Sequence, residues 1–166
     1  MMKRPLYPHD FQILRELVPQ AAEADKFTKY VYGLLIAWDY AQWDEKSCLV
    51  TITAAGRKAL ADQDMRLARA KAKQTAQAAI WDAEFAAEYV AELEGLASKA
   101  PAAHEHLESA QLAAEQAKHY AMAAQEALER DDFTAVQNAS HASSRACHAA
   151  RQSLNEAASL VMKGDA

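Results

Sequence analysis

The side chains best suited to chemistry in this sequence are six histidines, two cysteines and scattered carboxylates, and their spacing limits what they can do. His104 and His106 stand two residues apart, so on a helix they point to different faces. His141 and His148 are separated by seven residues with Arg145 between them, a cation that would repel a metal ion. Glu115 and His119 have the i, i+4 spacing of a helical ligand pair, but no matching pair on another segment completes a set. Cys147 and His148 are neighbours on a helix, about 100° apart, so adjacency does not make a nucleophile–base pair. Gly33, Gly56, Gly95 and Gly164 are isolated, so no glycine-rich loop cradles a phosphate. Nothing marks a nucleophile elbow or an activated cysteine. The expectation is a protein with no catalytic residues, no metal site and no cofactor, its histidines at the surface or in interfaces.

The composition agrees with a binding protein built from helices. The chain has 166 residues and a net charge of -5, and 51% of its residues are hydrophobic. Its mean hydropathy is nevertheless slightly negative, because much of the apolar content is alanine. Four glycines and four prolines argue against an all-β fold and against disorder. Cys48 and Cys147 show no redox spacing, which fits a reducing, cytoplasmic setting. Met1 to Pro5 carries basic residues with no apolar run after them, unlike a signal peptide, and no stretch approaches ~18 uninterrupted apolar residues, so no membrane span is expected.

The elements that would position any binding residue follow from periodicity. Phe11, Leu14, Leu17 and Val18 predict a helix from about His9 to Val18, closed by Pro19. A short polar stretch, Gln20 to Asp25, follows. Phe27, Val31, Leu34, Leu35 and Trp38 then predict a second helix to about Ala41. Gln42 and Trp43 can pair with Cys48 to Thr53 across a polar turn at Asp44 to Ser47, giving a β-hairpin. From Ala54 the chain reads as helix to about Ser98, then from Pro101 to Glu129 and from Asp132 to Val161. Pro101 suits a first helical turn and Asp132 suits an N-cap.

Small residues recur at 4-3 spacing through all three long segments. The seam reads Ala72, Ala76, Ala79, Ala83, Ala86, Val90, Leu93 and Ala97 in the first. In the second it reads Ala103, Leu107, Ala110, Ala114, Ala117, Ala121, Ala124 and Leu128. In the third it reads Val136, Ala139, Ser143, Ala146, Ala150, Ser153, Ala157 and Leu160. Such a seam predicts an antiparallel three-helix rod whose axes approach the short end of the ~8–10 Å range. The expected architecture is mainly α, with a small domain at 1–56 and the alanine-rich bundle at 57–166.

The stretch Leu49-Val-Thr-Ile-Thr-Ala-Ala-Gly-Arg-Lys-Ala-Leu60 resembles the wing-to-helix junction of MarR-like and PadR-like winged-helix regulators. Thr28 to Ala41 resembles the recognition helix that runs into the wing. The resemblance implies that Thr53 caps the long helix and that Gly56 lets it approach the hairpin. It also implies a double-stranded DNA contact through Thr28, Lys29, Tyr32 and Lys46; separately, Arg57, Lys58, Arg66, Arg69 and Lys73 recur at roughly helical spacing just after the wing and speak for the same contact. The segment departs from the pattern in its acidic wing tip, Asp44-Glu45, and in having no Arg, Asn or Gln on the recognition helix to read base edges. A module that binds a protein partner is therefore the alternative to a small DNA-binding regulator or an accessory factor of mobile DNA.

A second surface is expected on the first long helix. Trp81, Phe85 and Tyr89, extended by Leu93 and Leu96, form a ridge at i, i+4, i+8 spacing. Either a second copy of the chain covers it, making a homodimer, or the last helix does so through Phe133, Cys147, Leu154 and Val161.

Overall fold

A computed structural model describes residues 6–23 and 32–164 and divides the chain into two compact units, Met1–Leu67 and Ala68–Ala166. The division falls inside a helix at Leu67 and not at Gly56, because Leu60 belongs to the core of the first unit.

In the first unit, α1 spans Pro8–Glu16. Proline at its start costs no helical hydrogen bond, and the Asp10 carboxylate accepts the Tyr7 backbone N–H at 2.8 Å. Ile13, Leu14 and Leu17 bury its inner face. Strands β1 (Ala22–Glu23), β2 (Ala41–Asp44) and β3 (Leu49–Ile52) form one antiparallel sheet with β3 in the middle. Ala22 and Trp43 both stand opposite Val50, one on each side. Val50 and Ile52, two apart and so on one sheet face, are buried with Leu14, Leu17, Leu35 and Leu60.

Two expectations for this unit need correction. The stretch Gln20 to Asp25 is not simply a polar connection, since Ala22–Glu23 supplies the third strand. The second helix, described here as α2 (Gly33–Ala37), stops four residues before Ala41. Asp39 adopts φ 62°, which lets the Tyr40 N–H reach the Leu35 carbonyl at 2.8 Å and the Asp39 N–H reach Ile36 at 3.1 Å. These are the two bonds of a left-handed helix stop, and they release Ala41 to enter β2.

A single residue, Thr53, joins β3 to α3, which spans Ala54–Ala97, roughly 66 Å at ~1.5 Å per residue. The Thr53 hydroxyl oxygen accepts the Gly56 N–H at 3.1 Å, as an N-cap should. A Cβ placed on Gly56 would stand 2.0 Å from the Tyr40 carbonyl oxygen and 2.8 Å from Ile52 Cγ1. Only glycine allows that approach, as the sequence motif implied.

In the second unit α3 packs with α4 (His104–Glu129) and α5 (Phe133–Gly164). A turn of 3-10 helix at Pro101–Ala103 precedes α4. At its other end Asp131, at φ 54°, repeats the left-handed stop, and the Asp132 carboxylate then caps α5 by accepting the Ala135 N–H at 3.0 Å. The core comes in three layers. Ala76 and Ala79 meet Ala124 and Val136; Ala86 meets Ala117 and Ala150; Leu93 and Ala97 meet Ala110 and Ala157. The helices therefore run down, up and down, and the small-residue seam lies where expected, except that Leu160 is exposed near the end of α5.

Candidate functional site

The basic residues proposed for DNA are not equally available. Thr28 and Lys29 lie outside the described residues, as do Phe27 and Val31. Tyr32 is half-buried and packs against the first core. Lys46 sits exposed on the β2–β3 turn. Its backbone N–H donates to the Asp44 carboxylate at 3.0 Å, and the Ser47 hydroxyl donates to the same group at 2.8 Å. These two bonds, that from Lys46 first, lower the Asp44 pKa below its ordinary value and keep the turn's carboxylate ionised.

On α3, Arg57 turns back to donate to the Ile52 carbonyl at 3.3 Å, and Lys58 pairs with Asp62 at 3.1 Å one helical turn on. Arg66 is exposed in the first unit with no ion pair among the described residues. In the second unit, Arg69 lies 3.4 Å from Asp131, while Lys73 is exposed. Exposed pairs such as these are worth ~0–1 kcal/mol, so a phosphate can compete for the cations. Arg15 pairs with Asp64 and so places a further cation beside the same helix, one that was not among the candidates.

The aromatic ridge divides. Trp81 is 54% and Phe85 49% exposed, whereas Tyr89 is half-buried against the layer of Ala86, Ala146 and Ala150, with Cys147 beside the same layer. The last helix thus covers the lower part of the ridge and leaves the upper part in solvent. Leu93 must be removed from the surface altogether: it is 0% exposed, at the centre of the third layer. Its seam position and its ridge position were both legible in the spacing, and packing decided for the seam. Leu96 remains half-exposed.

Sequence reasoning missed an apolar groove of about 470 Å³ between α3 and α4, lined by Ile80, Ala83, Ala87, Ala114, Ala121 and Met122 among others. Its only trace in the sequence is a pair of large residues, Ile80 and Met122, each beside a seam alanine, with small residues opposite that cannot fill the space.

Two further ionisable groups respond to burial. Asp82 has its pKa raised by desolvation, and the Cys147 thiol is raised first by burial and then by the charge of Asp82, with Arg151 acting the other way. A raised thiol is a poor nucleophile. Among the described residues no group of three His, Cys, Asp or Glu side chains is arranged to hold a metal ion, and no helix is long and apolar enough to cross a membrane.

Comparison of the chain with protein-family models, curated proteins and solved structures finds no match.

Proposed function

We propose that the protein is a non-catalytic binding protein whose first unit is a winged-helix-like head that engages double-stranded DNA. The observation that carries this reading is the junction at Thr53–Gly56. There a β-hairpin passes through one capping residue into a long helix, held so close that only glycine fits. Lys46 at the hairpin turn and Arg57 and Arg66 on α3 are exposed cations that no acidic side chain neutralises among the described residues. Phosphate contacts from such residues supply affinity without sequence information.

The balanced charge of this unit predicts weak binding that disappears with salt, because each neutralised phosphate releases counterions. The test is fluorescence anisotropy on mixed-sequence duplexes at low salt. Lys46→Glu with Arg66→Glu should weaken binding and flatten the salt dependence, with an unchanged circular dichroism spectrum. Absence of binding by the wild type on any duplex at low salt removes the reading.

The hairpin turn favours a second reading. Asp44 is held ionised there beside Glu45, and such a turn repels phosphate but suits a basic patch on a protein partner. Under that reading, replacing Asp44 and Glu45 with Ser abolishes the partner interaction; under the first, it strengthens DNA binding.

A further inference from the structure

The outer face of α3 carries charge and apolar residues in an order that matters. From Met65 to Lys73 the helix has four basic residues and no acidic one; from Gln74 to Ser98 it has five acidic residues and no basic one. Trp81 and Phe85 stand within the second stretch, on either side of Asp82 and Glu84. At about 100° per residue, Gln74, Trp81, Phe85, Glu88, Glu92 and Leu96 fall within an arc of roughly 80°. That arc lies on the far side of the helix from the buried Ala79, Ala86 and Leu93, and all six residues are exposed or half-exposed.

From this arrangement we infer that the face binds the same face of a second copy, with the two α3 helices antiparallel and crossing at Trp81 and Phe85. Antiparallel pairing about that point sets Trp81 against Phe85 of the second copy, in both directions, as a two-fold axis requires. It sets Glu92 against Gln74, with Lys71 one turn away, and Leu96 against Ala70. A parallel pairing would instead stack Glu88 on Glu88 and Glu92 on Glu92, like charges with no cation at the same level. At the ends of the face charge therefore favours the antiparallel direction, while at its centre Asp82 stands level with Glu84 and the aromatics must supply the attraction. The inference is independent of whether the first unit binds DNA.

Area sets the strength. The exposed parts of the two aromatics sum to roughly 400–500 Å² over two copies, well short of the ~1,200–2,000 Å² of a stable interface. The contact must therefore run along the whole face, from Ala70 to Leu96. The dimer is accordingly concentration-dependent and sensitive to single charges.

Sedimentation equilibrium on the full chain tests this. The wild type should approach twice the chain mass as concentration rises. Trp81→Glu with Phe85→Glu, and the milder Trp81→Ala with Phe85→Ala, should remain at the chain mass with undiminished helical circular dichroism. Glu92→Lys should weaken the dimer at least tenfold, and adding Lys71→Glu to it should restore most of the loss. A wild type that stays monomeric at all concentrations overturns the inference. So does a folded double aromatic variant that keeps the dimer mass. Failure of Lys71→Glu to rescue Glu92→Lys overturns the antiparallel pairing.

Discussion

The hydroxyl of Ser143 on α5 donates to the main-chain carbonyl of Ala79 on α3 at 3.0 Å, in the fully buried middle of the helical unit. The same oxygen lies 3.2 Å from the Ala117 carbonyl on α4, so one proton is shared between two helices. Both carbonyls belong to helix interiors and keep their own intrahelical donors, so neither depends on Ser143 for satisfaction. Ser143→Ala should therefore cost only about 0.5–1.5 kcal/mol, the net value of a hydrogen bond. Ser143→Leu should cost more, because three backbones converge there. Urea denaturation of the two variants separates the polar from the steric role.

The alanine seam is tight in one place and open in another. Ala117 is fully buried in the middle layer, whereas Ala114, also a seam position, lines the α3–α4 groove. Ala117→Leu should destabilise by about 1–3 kcal/mol through overpacking. Ala114→Leu should be near neutral, since the added methylenes enter the groove. Equal losses in thermal or chemical denaturation would show that the groove closes in solution.

Gly56→Ala should be among the most damaging single-methyl changes in the chain. The new Cβ would meet the Tyr40 backbone carbonyl, which cannot swing aside as a side chain can. The expected loss is at or beyond the upper end of the ~1–3 kcal/mol range for overpacking. Thr53→Val, which removes only the cap, should cost about 1 kcal/mol. Near-ultraviolet circular dichroism, to which Trp38, Tyr40 and Trp43 contribute along with Trp81 of the second unit, follows the loss.

Asp82 provides a pH-dependent prediction. Burial raises its folded-state pKa above the unfolded value, so the folded state holds the proton more tightly. Its ionisation then opposes folding: stability from this group is greatest at low pH and falls as pH rises through the folded pKa. Asp82→Asn should raise the melting temperature slightly at pH 7 and leave it unchanged at pH 3. Because the Asp82 charge also raises the Cys147 thiol, the same substitution should speed alkylation of Cys147 at pH 8. A melting gain independent of pH would place the effect in packing and not in charge.

Much of this architecture was legible in the chain because its signals are local and repeated. The 4-3 spacing of small residues recurs through three segments, and each repeat biases its helix to the same buried stripe. Asp132 caps α5, Thr53 caps α3 and the Asp44–Ser47 turn reverses a hairpin through bonds that span three residues or fewer, so residue type and position suffice. What lies in one residue's choice between two neighbours was decided only by the tertiary structure. Ala22–Glu23 is too short to show any period and becomes a strand only because the free edge of β3 offers it a partner. The second helix ends at Ala37 because Asp39 adopts a left-handed conformation that aspartate tolerates but does not announce. Leu93 fits both the seam and the ridge by spacing, and Tyr89 could have stayed with Trp81 and Phe85 in solvent. Both are covered because α5 passes beside them, a long-range fact that the periodicity of α3 alone does not contain.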